Sequence, residues 1–121
     1  MSTPMSTPLP VLLDELVALI TEDAGLRASI DPRNINAPAV WVSARQIDHD
    51  ILAGGTVTVD LWLIAPDTGI PNALGVLSEM LAAVLSVVDP DAPTSLAESV
   101  RLPDAPAPLP AFRVTVNLEN C

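Results

Sequence analysis

Residues 70–89 read IPNALGVLSEMLAAVLSVVD, a segment that is apolar almost all the way round a helix. At helical spacing one face carries Leu74, Leu77, Leu81, Val84, Leu85 and Val88. A second face carries Ala73, Val76, Met80, Ala83 and Val87, which leaves only a narrow polar stripe. A helix that is hydrophobic on every side is normally buried on every side, whereas a two-layer domain covers only one side. We therefore expect the second face to contact a partner, most simply another copy of the chain.

The segments around this helix predict an α+β fold with the element order α-β-β-α-β-β. A first amphipathic helix begins at Leu9 and stops near Gly25. Strands are predicted at residues 39–45, 56–65, 94–102 and 111–119. They would form an antiparallel or mixed four-stranded sheet with both helices packed on one face. The opposite face would be mostly polar, with Ser43, Arg45, Thr56, Thr58, Asp60, Arg113, Thr115 and Asn117.

The connecting segments divide into an arm, a hairpin and a proline-rich loop. Residues 1–8, MSTPMSTP, are expected to be a flexible arm before a single domain at residues 9–121. Residues 46–55 are too many for a tight turn and predict an extended hairpin with a protruding tip. Residues 103–110, PDAPAPLP, are predicted to stay outside the sheet because proline lacks the N–H that a strand donates.

Charge and hydropathy exclude several classes of function. The net charge is −10 and there is no lysine, so the chain lacks the basic patch with which proteins hold nucleic acid. Glu79 interrupts the apolar run of the second helix, so no membrane span is predicted. The 17% of charged residues is low for a soluble monomer, which agrees with buried subunit interfaces.

No pattern of residues predicts catalysis, a metal site or a cofactor. His49 is the only histidine, and three consecutive side chains at Asp48, His49 and Asp50 cannot surround a zinc ion. The serines lack a nucleophile motif, and the glycines at 54 and 55 lack a phosphate-loop context. Cys121 is a single thiol at the chain end, so no disulfide is expected. The sequence predicts a protein that is not an enzyme.

Trp41 and Trp62 are out of phase with the Val and Leu residues of their strands. In one hairpin they would lie nearly opposite each other, as a cross-strand pair. They could simply cover the end of the sheet, or they could anchor a neighbouring subunit, since tryptophan is enriched at interfaces.

Residues 34–90, NINAPAVWVSARQIDHDILAGGTVTVDLWLIAPDTGIPNALGVLSEMLAAVLSVVDP, resemble the tail terminator proteins of long-tailed, siphovirus-type bacteriophages. Those proteins are small and acidic, with a helix before a "p-a-V-w-V" strand, a longer "T-V-x-V-x-L-W-L-I-A" strand and an apolar helix. The resemblance covers residues 9–119 and rests on element order and apolar pattern.

The resemblance implies a structural virion protein that forms a hexameric ring at the head-proximal end of the tail tube. Such a ring ends tube polymerisation and provides the surface for joining the head. Its partners would be other copies of itself, the tail tube protein and a head-closure connector, and DNA would pass through the lumen without specific binding. The protein would be made in the host cytoplasm and reside in the virion.

Two sets of residues follow as candidate contacts. The subunit interface would use Ala73, Val76, Met80, Ala83 and Val87 with Trp41 and Trp62. The hairpin tip, Asp48, His49, Asp50, Ile51 and Leu52, would contact the tube or the lumen. Two alternatives remain open: a head-closure or tail-completion connector of the same neck, and a dimeric α+β domain that binds a small molecule or peptide.

Overall fold

Two helices and five strands make up the part of the chain that the computed structural model describes, residues 9–50, 54–67, 69–103 and 107–120. The helices are α1 (Leu9–Asp23) and α2 (Ile70–Leu85), and the strands are β1 (Ala28–Ser29), β2 (Ala39–Asp50), β3 (Gly54–Ile64), β4 (Ser95–Val100) and β5 (Leu109–Asn120). A short 3₁₀ helix, Pro32–Asn34, lies between β1 and β2. The predicted arm at residues 1–8 lies outside the described residues, as do Ile51, Leu52 and Cys121.

The strands form one mixed sheet in the order β1-β2-β3-β5-β4. All neighbours are antiparallel except β1, which runs parallel to β2. The α+β class is confirmed, whereas the predicted four strands are corrected to five. The additional strand is only two residues long, Ala28 and Ser29, and a run of that length has no periodicity that a sequence pattern could reveal.

Three predicted boundaries also change. The hairpin strands pair as far as Asp50 and Gly54, well beyond the predicted end of the first strand at residue 45. β5 begins at Leu109, so two residues of the predicted proline-rich loop belong to the sheet. Pro110 fits there because it contributes its carbonyl oxygen, which accepts a hydrogen bond from the Ala65 N–H at 3.0 Å.

Helix α2 is shorter than predicted and ends at Leu85. The Ser86 hydroxyl donates to the Ala83 carbonyl at 2.5 Å, and the N–H groups of Val87 and Val88 both donate to the Val84 carbonyl at 3.0 Å. These bonds close the last turn of the helix before Pro90, whose ring disfavours helical backbone at residue 89.

The principal core lies between the helices and one face of the sheet. Alternate residues of the three long strands point into it: Val40, Val42, Val57, Val59, Leu61, Leu63, Phe112, Val114 and Val116. Leu13, Leu16 and Ile20 cover these strands from α1. α1 contacts β1 and β2, and α2 contacts β3 and β5, so each helix covers a different half of the sheet.

The opposite face of the sheet is divided between an apolar end and a polar end. At the end away from the β2–β3 hairpin, a second, smaller cluster contains Ile35, Ala39, Ile64, Val100, Leu102 and Ala111. The chain segments after β1 and after β4 supply Ile35 and Leu102 to this cluster. The prediction of a mostly polar face therefore holds only toward the hairpin. The sequence pattern did not indicate that these two loops fold over the other end of the sheet.

Candidate subunit-interface surfaces

Helix α2 buries a narrower arc than either of its two predicted faces. The buried residues are Ala73, Leu77, Met80 and Val84, which straddle both predicted faces. Ala73 and Met80, expected at a subunit interface, are only 1% and 4% exposed within the subunit's own core. This corrects their assignment: helical spacing groups residues correctly on a wheel, but it does not show which direction points at the sheet.

The remaining predicted interface residues, Val76 and Ala83 in α2 and Val87 just after it, lie outside this buried arc. Val76 lines a recess with Leu26 and Pro38, and Val87 lines another with Leu16 and Leu19. Ala83 is partly buried. These residues are therefore partly accessible, with Val76 beside the segments that lead into β1 and β2 and Val87 beside α1.

The other flank of α2 carries a stripe of leucines that we call the α2 stripe: Leu74, Leu81 and Leu85. Leu74 and Leu85 are 44% and 40% exposed, and Leu81 between them is partly buried. Their spacing of seven and four residues places them on one line along the helix. The α2 stripe is the apolar surface of this helix that the subunit leaves open.

Exposed large apolar side chains occur on both halves of the described structure. On the half that contains α2 and β4 they are Leu74, Leu85 and Leu96. On the half that contains α1, β1 and β2 they are Val11, Ile30 and Ile47. The two sets therefore lie on opposite halves of the molecule and have no residue in common.

Trp41 and Trp62 are direct cross-strand partners, which confirms the predicted pairing. Their ring centroids are 6.4 Å apart with the planes at 25°, and the Trp41 indole N–H donates to the Ile30 carbonyl at 3.3 Å. The Arg113 guanidinium lies 5.5 Å from the Trp62 ring centre on the other side. Both tryptophans also pack against the smaller apolar cluster, so they cover one end of the sheet. Their role as anchors for a neighbour stays a prediction.

Asp60, on the polar end of this face, is a buried carboxylate in an ion pair, a feature that the sequence reasoning missed. It is only 4% exposed, and its Oδ2 is 3.1 Å from Nε of Arg45. The Thr115 hydroxyl donates to Asp60 Oδ1 at 3.1 Å. Arg45 stands at a bulge in β2, and its side chain is about half exposed. Its position in the sequence could have indicated this burial. Asp60 lies on the middle strand of the sheet, where neighbouring side chains exclude water even without a covering layer.

The hairpin residues Asp48, His49 and Asp50 pair through their backbone with Thr56, Gly55 and Gly54. Their side chains, and all of Ile51 and Leu52, lie outside the described residues. The predicted contact role of this tip therefore stays a prediction.

The exposed ion pair between Asp31 and Arg33 shifts the pKa of both groups. The Arg33 side chain donates from Nε and Nη2 to the two carboxylate oxygens at 3.2 Å, and its backbone N–H donates at 3.0 Å. These hydrogen bonds lower the pKa of Asp31 and raise that of Arg33. Asp31 thereby caps the 3₁₀ helix that leads to Ile35.

Among the described residues, no three His, Cys, Asp or Glu side chains converge as metal ligands. Within the same ranges, no helix is long and apolar enough to cross a membrane. Comparison of the chain with protein-family models, curated proteins and solved structures gave no match.

Proposed function

We propose that this chain is a structural subunit that assembles front to back with its own copies into a closed ring, as a tail terminator at the head-proximal end of a phage tail tube. One observation supports this best: the exposed apolar side chains form two different sets on opposite halves of the sheet. The family assignment itself rests on the sequence resemblance described above.

Two different surfaces on opposite halves favour a heterologous contact. In a symmetric dimer the same patch meets itself, whereas a front-to-back contact joins two unlike patches and closes into a ring when the rotation permits. In the proposed ring, the half with Leu74, Leu85 and Leu96 meets the neighbour's half with Val11, Ile30 and Ile47.

Irregular pairing of β2 and of the edge strand β4 favours contact through side chains over extension of the sheet. The β2–β3 pairing has an irregularity between Ala44 and Gln46, and the β4–β5 pairing has one between Ser95 and Glu98. β4 is an edge strand, and the two-residue β1 leaves the rest of β2 without a neighbour on that side. Bulges at such free edges twist the backbone groups away from an incoming strand. The proposed interface therefore depends on the exposed leucines, isoleucines and valine.

The proposed ring is a hexamer with an acidic character. Six copies at −10 each would carry −60, which would repel DNA from the lumen wall and let it pass without binding. The ring would contact the tail tube protein on one end and a head-closure connector on the other, in the virion.

A mixing experiment tests the front-to-back contact. Leu85→Glu places a charge on the first half and Ile47→Glu on the second, and each should abolish rings by burying an unpaired carboxylate at the contact. Because each variant keeps one intact half, an equimolar mixture should give heterodimers and nothing larger by native mass spectrometry.

The matched control is Ala82→Glu, which adds the same charge at an exposed position of α2 that is not part of the α2 stripe. It should assemble like the unaltered protein, in the presence of tail tubes if closure needs them. If Ile47→Glu alone forms a stable homodimer through the α2 stripe, the contact is symmetric. The ring proposal then fails in favour of the dimeric binding domain.

A further inference from the structure

An apolar groove lies between α1 and the last part of β5, at the end of the sheet that carries the β2–β3 hairpin. Two adjoining recesses of about 340 and 190 Å³ share Leu16, Leu19 and Leu118. The apolar lining comes from three segments of the chain: Leu12, Leu16, Leu19, Val87, Val88, Val116 and Leu118. We call this the α1–β5 groove.

The charged residues that line the α1–β5 groove are all acidic. They are Glu15 on α1 and Asp89 and Asp91 after α2, and all three are exposed. Asp91 is held in place, because its N–H donates to the Thr115 carbonyl at 2.9 Å and its Oδ2 accepts the Asn117 N–H at 2.6 Å. The groove thus combines an apolar floor with a fixed negative rim.

Cations that could match the rim are scarce in this chain, which has five arginines and no lysine against fifteen acidic residues. Three of its five arginines pair internally with Asp31, Asp60 and Glu98. Arg27 lines the separate recess beside Val76, and Arg101 follows β4 at the opposite end of the sheet. The N-terminal eight residues contain no charged side chain. A second copy, with a net charge of −10, and the N-terminal eight residues, which have no charged side chain, therefore match an acidic rim poorly.

We infer that the α1–β5 groove binds a basic amphipathic segment of a different protein. Apolar side chains of that segment would fill the floor, as in other complexes where a helix lies in a groove. Its lysines or arginines would meet Glu15, Asp89 and Asp91, since charge complementarity selects partners. This inference goes beyond the proposed ring and does not depend on it.

A pair of synthetic peptides tests the charge requirement. One is an amphipathic helix of leucine and lysine, and the other has glutamate in place of each lysine. We expect the lysine peptide to bind the full-length protein and to shift the backbone amide NMR signals of Val88, Val116 and Leu118. The glutamate peptide should leave those signals unchanged. Binding of both peptides alike would overturn the proposal.

A matched pair of variants separates the groove from the overall charge. Glu15→Lys with Asp89→Lys should weaken binding of the lysine peptide by about tenfold or more, because two rim charges are reversed. Glu22→Lys with Asp67→Lys makes the same change in net charge at exposed positions outside the groove and should weaken it by less than about threefold. Equal losses in the two variants would mean that binding follows net charge alone, and the proposal would fall.

Two further measurements examine the other occupants. If a chain that begins at Leu9 binds the peptide more than about tenfold tighter than the full chain, the arm fills the groove and the proposal is wrong. If the groove variant changes the oligomeric mass without peptide, a second copy fills it, and the proposal is again wrong. Failure of peptide binding with rings intact would overturn this inference alone, so the two proposals fail independently.

Discussion

The two faces of the sheet are stabilised in different ways. The helix-covered face presents aliphatic and aromatic residues from three strands, and two amphipathic helices close over it. The opposite face has an apolar cluster at one end and, at the other, the buried Asp60 carboxylate paired with the partly exposed Arg45. The first face is stabilised by many similar apolar contacts, which alternate residues of the strands make with the helices. The second depends on individual contacts made by segments distant in sequence, so single substitutions there should have more varied effects.

The largest expected effect is in the helix-covered core. Leu61 is fully buried on the central strand, and Leu61→Ala should lower the free energy of unfolding by about 2–5 kcal/mol, since it leaves a cavity that the packed strands and helices cannot fill. Ile64 is equally buried but belongs to the smaller cluster, which is covered by the loop residues Ile35 and Leu102, and we expect loops to relax into a cavity more easily than helices. Ile64→Ala should therefore fall at the lower end of the same range, about 2 kcal/mol.

Urea unfolding of the two variants provides this comparison, with Val11→Ala as a surface control. Val11 is 46% exposed, and its truncation should change the unfolding free energy by less than about 0.5 kcal/mol. If Ile64→Ala cost clearly more than Leu61→Ala, the smaller cluster would be the more rigid of the two, and our comparison of the faces would be reversed.

The next effect concerns the ion pair on the opposite face. Arg45→Ala leaves the Asp60 carboxylate buried with the Thr115 hydroxyl as its remaining described donor. Loss of a partner from a fully buried pair costs several kcal/mol, but Arg45 is about half exposed, so we expect about 1–2 kcal/mol. Adding Asp60→Asn to Arg45→Ala should recover part of this loss, because it removes the uncompensated charge and keeps an acceptor for Thr115. Thermal and urea unfolding of the single and double variants would measure the recovery, and an unchanged single variant would show that water already solvates Asp60.

The difference between the faces also explains what the sequence could predict. Alternation in β3 and β5 and the apolar character of α2 were enough for the α+β class and the Trp41–Trp62 pairing. They were not enough for β1, because Ala28 and Ser29 are held in the sheet by their pairing with Val40 and Trp41 and not by any local pattern. Nor could they indicate that Ile35 and Leu102 fold over the second face, or which way α2 is rotated. Those features depend on contacts between distant segments.

A smaller effect is expected for the aromatic pair at the boundary between the apolar and polar ends. Stacked aromatic pairs contribute about 0.5–1.5 kcal/mol beyond the area they bury, and Trp41 and Trp62 have this arrangement. A double-mutant cycle with Trp41→Leu and Trp62→Leu should therefore give a coupling free energy of about 0.5–1.5 kcal/mol in urea unfolding. Arg113→Gln should reduce it only slightly, because the guanidinium contacts Trp62 alone. A coupling near zero would show that the rings act only as separate covers of the cluster.

The smallest effect on stability should come from the exposed ion pair of Asp31 and Arg33, beside the smaller cluster. Arg33→Gln removes the side-chain hydrogen bonds that lower the pKa of Asp31, so that pKa should rise toward its usual value near 3.8 in an NMR titration of the carboxyl group. Because the folded-state pKa is lowered, the pair's contribution to stability is present above the unfolded pKa and is lost as pH falls through the folded one. The variant should thus differ from the unaltered protein only slightly at neutral pH and not at all in strong acid.

Asp31→Asn is the matched control, since asparagine can still cap the 3₁₀ helix. If Arg33→Gln instead increased hydrogen exchange at the Ile35 amide by much more than Asp31→Asn, the arginine would hold the cover of the second cluster in place. The second face would then depend on a surface contact as well as on the sheet beneath it, which would sharpen its difference from the helix-covered face.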